Sequence, residues 1–202
     1  MAKWDTLADK ATVDKTIAAL SANGITSYYV ENGAEAKKKF FELLPAGAEV
    51  MNNSSTTLLQ LGIADELTKP SKYNSIRNKL MAMDRKTQGR EMQAMGSAPE
   101  WAVGSVHAIT EDGQALIASA SGSQLPGYAF GSDHIIWVAG TQKIVKNLDE
   151  GSKRLYEYVL PLENVRAMKA YGSPSSVNKL LIINKDPAQR IHLILVNEVL
   201  GF

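Results

Sequence analysis

The sequence has no cysteine among its 202 residues, and this absence excludes several classes of function. A chain without thiols forms no disulfide scaffold, supplies no cysteine ligands to zinc or to an iron–sulfur cluster, and has no thiol nucleophile. Long apolar runs are missing as well, since none approaches the ~20 residues of a membrane-spanning helix. The first residues, Met1–Asp5, lead into a polar, amphipathic stretch rather than a signal peptide. We therefore expect a cytoplasmic protein that does not insert into membranes.

Net charge is also nearly absent. The 22 Lys and Arg residues balance 21 Asp and Glu residues, which leaves a formal charge of +1 at pH 7. Proteins that bind nucleic acids generally present a basic surface, so nucleic acid is not an expected partner. The 45% hydrophobic and 21% charged residues are typical of a globular domain, and a chain of this length folds without disulfides. We predict a single domain over residues 1–202.

The apolar residues of the first half switch repeatedly between helical and strand-like spacing. Val13, Ile17 and Leu20 share one helical face, which predicts a helix over residues 6–22. The β-branched and aromatic stretch Ile25–Val30 predicts a strand directly after it. A second helix and a second strand follow in the same way. This alternation indicates an α/β fold with a parallel sheet.

The second half of the chain has a different pattern. Val103–Thr110 and Gln114–Ser119 read as two strands, and the intervening Asp112-Gly113 is a strong hairpin signal. Ile191–Val196 is apolar on both faces, which predicts a strand inside a sheet. A helix near residue 150 is expected to be interrupted by Pro161, because proline lacks the backbone N–H of a helix interior.

Three polar segments are candidates for a binding site, because ligands of open α/β sheets bind at the carboxyl ends of the strands. Residues 53–56 follow a predicted strand and suit either an anion site or plain helix capping. Residues 120–132 form a Gly- and Ser-rich stretch that is either a surface loop or a ligand loop, and residues 172–176 form either a turn or an anion nest. The candidate substrate-binding residues are Ser54, Ser55, Gly122, Ser123, Gln124, Lys143 and Ser175.

Glu111 is the candidate catalytic residue, because a carboxylate at a strand end near a Gly-rich loop can act as an acid or base. The same residue also fits an ordinary solvated turn. The three histidines, His107, His134 and His192, lack the spacings of metal-binding motifs, and no glycine pattern matches a dinucleotide or P-loop fingerprint. The sequence therefore indicates no metal site and requires no cofactor. Whether a cofactor binds, and which one, stays unknown.

Positive charge is concentrated in one stretch. Residues 69–100 contain seven basic and three acidic residues, and four of the seven methionines lie there. Helical spacing predicts a helix over residues 71–95. The charge indicates either a solvated helix face or a surface that faces an anion or a protein partner, and the methionines fit either core packing or a partner contact.

Four segments in a fixed order carry a family resemblance. They are NSSTTLLQLG at 53–62, GSVHAITEDGQALI at 104–117, HI at 134–135 before KIV at 143–145, and GSPS at 172–175. Together they resemble the LUD-domain family of lactate-utilisation proteins, which is LutC-like. The chain departs from the family pattern at Val106 and Asp112, and its loop 121–132 has no arginine.

The resemblance implies a three-layer α/β/α sandwich with a mostly parallel sheet and an antiparallel hairpin element, as in the NagB/RpiA/CoA-transferase superfamily. It also implies a role in lactate or organic-acid utilisation, in which a small anionic metabolite binds in a crevice at the carboxyl ends of the strands. Iron–sulfur oxidoreductase subunits would be partners. The alternative is a non-catalytic accessory or regulatory subunit of such a complex, and a homo-oligomer is compatible with the sequence. The residues that match the family pattern are Glu111, Gly113, Lys143, Pro174 and Ser175.

Overall fold

The computed structural model describes residues 4–70 and 72–202. Residues 1–3, which precede the predicted polar stretch, and Ser71, the first residue of the predicted helix 71–95, lie outside the described residues. The strands are β1 (Thr26–Val30), β2 (Glu49–Asn52), β3 (Asn74–Ser75), β4 (Trp101–Gly104), β5 (Ala108–Thr110), β6 (Ala115–Ser119), β7 (His134–Gly140), β8 (Ile144–Val145), β9 (Lys179–Ile183) and β10 (Ile191–Val196).

Eight α-helices and three other helical turns precede or connect the described strands. The turns are π-helical at Gly127–Gly131 and Leu155–Val159 and 3-10 helical at Thr141–Lys143. The α-helices are α1 (Lys10–Ala22), α2 (Gly33–Leu43), α3 (Thr56–Gln60), α4 (Ile63–Thr68), α5 (Ile76–Ala82), α6 (Arg85–Ser97), α7 (Leu148–Arg154) and α8 (Leu160–Tyr171). None of the described helices is long and apolar enough to cross a membrane.

Six strands form the main sheet in the order β1-β10-β7-β4-β2-β3, and all neighbours run parallel. The apolar strand β10 lies between β1 and β7, which confirms its predicted place inside a sheet. Because every strand points the same way, the carboxyl ends of β2, β4, β7 and β10 lie along one edge of the sheet. Polar residues that follow these four strands therefore converge.

A second, four-stranded sheet has the order β8-β5-β6-β9. Strands β5 and β6 form the predicted antiparallel hairpin, and β8 adds in parallel to β5. The hairpin turn requires glycine at position 113, which has φ of +79°, and a Cβ there would lie 2.6 Å from the carbonyl carbon of Ala19. Close packing of the turn against α1 thus explains the Asp-Gly signal in physical terms.

Apolar residues cover both faces of the main sheet. On one face, Phe40 and Leu58 of the α2–α4 layer pack against Val50 and Val138. On the other face, α1 and the second sheet pack against Trp137, and α7 lies outside the second sheet. Burial of the main sheet on both sides is what parallel strands require. The predicted α/β/α sandwich with a mostly parallel sheet and a hairpin element is confirmed.

Two predicted helices differ in their boundaries. The predicted helix 71–95 is two helices, α5 and α6, because Ser75 and Asp84 each cap a new helix by accepting a backbone N–H. The predicted interruption at Pro161 is wrong. The chain widens into the π-helical turn Leu155–Val159 and continues into α8, whose first turn contains Pro161. The wider π-helical turn directly before Pro161 changes the hydrogen-bond pairing there, and the helical path continues past the proline.

Candidate functional site

Lys143 is buried at the carboxyl ends of the central strands, with only 2% of its surface exposed. The 3-10 turn after β7 directs its side chain inward. Its Nζ lies 3.2 Å from Thr57 Oγ1 and 3.1 Å from Ser105 Oγ, and it donates to the carbonyl oxygen of Val106 at 3.2 Å. Thr57 follows β2, and Ser105 follows β4. Three neighbouring strand ends therefore meet at one amine.

Burial, together with a smaller effect of the positive charge of Arg154, lowers the pKa of Lys143 to about 7. Among the described residues, the three groups that bind Nζ are two hydroxyls and a carbonyl, all uncharged. An amine with this pKa is partly protonated at neutral pH. It can therefore hold an anion or exchange a proton, as groups with shifted pKa values often do at functional sites.

Arg154, at the end of α7, is fully buried and contacts the segment that follows β4. Its Nη1 donates to the carbonyl oxygen of His107, and its guanidinium carbon lies 5.3 Å from the ring centre of Tyr158. Burial lowers the pKa of Arg154 to about 10, so the guanidinium stays largely charged at neutral pH. Two basic side chains thus flank consecutive backbone carbonyls, those of Val106 and His107.

His107 lies beside both cations. Its Nδ1 accepts the backbone N–H of Ala118 at 3.1 Å, so the ring proton resides on Nε2. Burial, together with smaller effects of the charges of Lys143 and Arg154, lowers the pKa of His107 to about 3. His107 is therefore a neutral hydrogen-bond donor next to two cations. We refer to Lys143, His107 and Arg154 together as the cationic cluster.

We expect His107 to remain neutral across the pH range in which an ordinary histidine titrates. Its pKa is depressed in the folded state, so the unfolded chain binds more protons between about pH 3 and the ordinary value of 6.5. Stability should therefore fall as the pH drops through this window. NMR of ring-labelled histidine, with the His107→Gln variant to assign the signal, measures the titration directly. A His107 signal that titrates near pH 6.5 would contradict the arrangement.

A tyrosine and a glycine form the wall of the site beside β4. A Cβ on Gly104 would collide with the hydroxyl of Tyr128, so this hydroxyl can pack against the strand end only because residue 104 is glycine. The Tyr128 ring packs edge-on against Trp137, with 5.3 Å between the ring centres. Burial raises the pKa of the Tyr128 phenol well above its ordinary value, and the phenol remains a neutral hydroxyl.

Residues 198–202, which we call the strap, cross the site next to Lys143. The carbonyl oxygen of Leu200 accepts from Gln142 Nε2 at 2.9 Å, and the backbone N–H of Gly201 donates to Gln60 Oε1 at 2.7 Å. A Cβ on Gly201 would collide with Thr57 Oγ1 and lie 3.4 Å from Nζ of Lys143. A ligand that reaches this amine therefore requires the strap to shift.

A surface depression of about 390 Å³ adjoins the strap at the carboxyl ends of β1 and β10. Asn32 and Gly33, at the start of α2, line it together with Lys37. It shares Gln60 and Glu198 with the strap and its anchor. A small molecule held in this depression would therefore lie next to the segment that covers Lys143.

The structure brings the predicted residues Ser54 and Ser55 to the same edge as Lys143. Ser55 Oγ accepts the backbone N–H of Leu58 at 3.3 Å and caps α3, and Ser54 Oγ accepts from Arg77 Nη1 at 3.3 Å. Helix capping, one of the two roles left open by the sequence, is therefore what Ser55 does in this structure. Thr57, which the sequence did not single out, provides the hydroxyl that contacts Lys143.

The predicted loop residues Gly122, Ser123 and Gln124 follow β6, on the side where His107 contacts the hairpin. Gly122 N–H donates to Ser119 Oγ at 2.8 Å, and Ser119 Oγ lies 2.9 Å from Gln124 Oε1. The hydroxyl of Ser123 is exposed and lies 3.0 Å from that of Ser121. These bonds hold the loop in one conformation next to the histidine end of the cationic cluster.

Glu111 and Ser175 occupy other positions. The Glu111 carboxylate forms an ion pair of 2.7 Å with Lys15 on α1, and its backbone N–H donates to Val145. Ser175 N–H donates to Asn164 Oδ1 on α8 at 2.9 Å. In the described part of the chain, neither side chain contacts the cationic cluster. Their predicted catalytic and binding roles stay predictions.

Metal ligands are not grouped at this site. Among residues 4–70 and 72–202, no three His, Asp or Glu side chains lie close enough together to hold a metal ion. The donors near Lys143 are hydroxyls and a neutral imidazole N–H, which suit an organic anion. A bound anion would accept hydrogen bonds from the amine and the hydroxyls alike.

Comparison with known proteins identifies the family. The family model described as "LUD domain" matches residues 13–196. The crystal structure of a DUF162 family protein from Deinococcus radiodurans superimposes with a TM-score of 0.58 at 14% sequence identity, covering 95% of this chain and 99% of that one. No curated protein matches significantly. At such low identity the superposition shows the shared fold, whereas the family model covers most of the sequence. The chain belongs to the LUD-domain family.

Proposed function

We propose that this LUD-domain protein binds a small anionic metabolite at the carboxyl ends of the parallel strands, with Lys143 as the principal anion-binding group. The observation that carries the proposal is that Lys143 is buried and its described contacts are all uncharged. A buried charge is costly unless a partner compensates it. A bound anion would supply that partner, and the hydroxyls of Thr57 and Ser105 would add hydrogen bonds.

The proposed ligand class is the organic acids, with a role in lactate or organic-acid utilisation in the cytoplasm. Family membership supports this class, and a CoA ester or a sugar phosphate offers the same negative charge. Ser54 and Ser55 would border the ligand on one side, and Gly122, Ser123 and Gln124 would do so near His107. Glu111 and Ser175 would act only if they moved from their present partners, Lys15 and Asn164.

Thermal unfolding with a panel of anions tests the proposal. Lactate, oxalate, a sugar phosphate and a CoA ester are each added to the wild-type protein. A ligand present at 100 times its Kd stabilises the folded state by about 2.7 kcal/mol. We expect Lys143→Met to lose this stabilisation, because the variant keeps the apolar stem but not the charge.

Lys15→Met is the matched control, since Lys15 is an exposed lysine whose ion pair is with Glu111. It should respond to ligands like the wild type. The proposal fails if none of the anions stabilises the folded wild-type protein, or if Lys143→Met responds as strongly as the wild type does.

A second candidate function is that of a non-catalytic accessory or regulatory subunit. Helix α6 supports it, because this helix buries none of its residues and carries Arg85, Lys86 and Arg90. Met81, on the neighbouring α5, has 76% of its surface exposed. A polar helix with little burial is suited to contact with another protein. An acidic surface on an iron–sulfur oxidoreductase subunit would complement it.

Affinity capture from the native host tests this second candidate. We expect an iron–sulfur subunit to be retained by the wild-type protein and lost when Arg85, Lys86 and Arg90 are changed to Glu. Lys143→Met should retain the partner, because the Lys143 side chain is buried and does not form part of an exposed surface. Recovery of the same subunit with the charge-reversed variant would exclude this surface as the docking site.

A further inference from the structure

We propose that Arg154 forms a second anion subsite beside Lys143, so that the ligand of this protein carries two acidic groups. The inference rests on the proposed function, because it assumes that an anion binds at Lys143. It goes beyond that function by specifying the ligand as a dicarboxylate or a phosphorylated carboxylate. A monocarboxylate such as lactate would satisfy only one of the two subsites.

The guanidinium of Arg154 lacks hydrogen-bond partners for two of its nitrogens within the described residues. The side chain is fully buried, and its Nη1 donates to the carbonyl oxygen of His107. Its Nε and Nη2, however, have no hydrogen-bond partner among the described residues. A buried donor without a partner is unfavourable, because it loses its hydrogen bond to water on folding and gains none in return. The Nε/Nη2 edge therefore has a strong tendency to bind an acceptor.

Two other arginines of the chain show what this edge binds. In Arg166, Nε and Nη2 each donate to one carboxylate oxygen of Glu163 at 2.7 Å. In Arg190, Nε and Nη2 donate to Asp186 Oδ1 at 3.2 and 3.0 Å. The fork of two parallel N–H groups matches the two oxygens of a carboxylate or a phosphoryl group. Arg154 offers the same fork from a buried position.

Asp5, an acidic residue whose charge acts on Arg154, is engaged elsewhere. The Asp5 carboxylate accepts a hydrogen bond from the Tyr158 hydroxyl, and Arg154 lies over the ring of that tyrosine. The attraction of Asp5 therefore reaches the guanidinium over a distance and without a direct ion pair within the described residues. An acid group of a ligand would satisfy the fork directly.

The two subsites lie within reach of one small molecule. Lys143 binds the carbonyl oxygen of Val106, and Arg154 binds that of His107, the next residue. Consecutive Cα atoms are about 3.8 Å apart, so the two cations lie on the order of 10 Å or less from one another. His107, which lies beside both cations, carries its ring proton on Nε2 as a neutral donor. A ligand with two acid groups joined by a short carbon chain fits this spacing.

Calorimetric titration of the wild-type protein with paired probes tests the inference. Acetate and lactate are compared with malonate, succinate and glutarate, and glycolate is compared with 2-phosphoglycolate. We expect at least one doubly acidic probe to bind about tenfold or more tightly than its singly acidic counterpart, because a bidentate charged contact contributes on that scale. Equal affinities would overturn the inference and leave the proposed function standing. Failure of every probe to bind would reject both.

The Arg154→Lys variant separates the fork from the charge. It keeps a positive side chain but has no Nε/Nη2 edge, so we expect it to lose about tenfold in affinity for the doubly acidic probes. Its affinity for the singly acidic probes should stay within about twofold of the wild type. Arg166→Lys removes the same fork from a partly exposed surface pair and should change neither affinity. An Arg154→Lys protein that still prefers doubly acidic probes would overturn the inference.

Circular dichroism and thermal unfolding establish whether Arg154→Lys folds. If it does not, the wild-type comparison of singly and doubly acidic probes decides the matter without any variant. The inference predicts a preference there, and equal binding contradicts it.

Discussion

Replacing Lys143 with Met is expected to remove most of the rise in stability that the wild-type protein shows between pH 7 and pH 9. In the folded protein the pKa of Lys143 is lowered from the ordinary 10.5 to about 7. Between these values the unfolded chain binds one more proton than the folded chain, so the free energy of unfolding increases with pH. The slope is about 1.4 kcal/mol per pH unit, which amounts to several kcal/mol over the window.

Urea unfolding of the wild-type protein and the variant at a series of pH values measures this slope. The series should end near pH 9, because Arg154, with its pKa lowered to about 10, begins to contribute above that point. Lys15→Met serves again as the control and should keep the wild-type slope, since Lys15 lies on the exposed surface of α1. A Lys143→Met protein whose stability still rises as steeply as that of the wild type would show that the amine is not the titrating group.

The same titration connects stability with ligand binding. An anion binds the protonated amine, so ligand affinity should weaken as the pH rises through the pKa of Lys143. His107 does not counteract this effect, because its pKa lies near 3 and the ring is neutral throughout the window. Folding favours loss of the proton, whereas ligand binding favours its retention. An anionic ligand would thus stabilise the protein most at or below neutral pH.

The sequence predicted the main sheet only in part. Strand β10 was predictable because it is buried on both faces, whereas the predicted strand Val103–Thr110 is divided between β4 in the main sheet and β5 in the second sheet. The apolar run of Ile191–Val196 indicated an interior strand, and the structure places it between β1 and β7. The hairpin at Asp112-Gly113 was also predictable, since it depends on local turn chemistry. The parallel addition of β8 to β5 was not predictable, because it joins residues far apart in the chain through a short two-residue strand.

The candidate site was predictable only in part. Lys143 was named because it follows a strand and matches a family motif, but its burial depends on Thr57 and Ser105, which come from other strand ends. His107 and Arg154 were not identified as site residues. They are brought together by packing of α7 on the second sheet, and no spacing in the sequence indicates that contact. Site chemistry that arises from long-range packing lies beyond motif analysis.

Glu111 illustrates the opposite case. Its sequence context indicated a turn, and a turn is where the structure places it, with the carboxylate paired to Lys15. A functional role was inferred from the same context, because a strand-end carboxylate fits both descriptions. Local sequence defines where such a residue lies along the chain, whereas its electrostatic partners depend on the neighbouring elements, here α1.

Gly140→Ala is expected to lower the free energy of unfolding by about 1–3 kcal/mol, because the added methyl group overpacks the site against backbone atoms. We also expect the substitution to uncover Lys143. Gly140 ends β7 with φ of −68°, a conformation that alanine adopts readily, so backbone strain plays no part. A Cβ at this position would instead collide with the carbonyl oxygen of Glu198 and with Gln142 Oε1. The side chain of Gln142 can rotate away, but the Glu198 carbonyl is part of the strap backbone and can move only if the strap moves.

The displaced strap makes this prediction specific to the site. If residues 198–202 move, the bonds from Gln142 and Gly201 weaken, and the amine of Lys143 becomes accessible to reagents. Acetic anhydride labelling followed by mass spectrometry should therefore modify Lys143 faster in Gly140→Ala than in the wild type. Gly89→Ala is the matched control: a Cβ there has no neighbour within 4 Å, and alanine favours the helix by up to about 1 kcal/mol. Unchanged labelling of Lys143 in a destabilised Gly140→Ala protein would show that the strap does not control access to the amine.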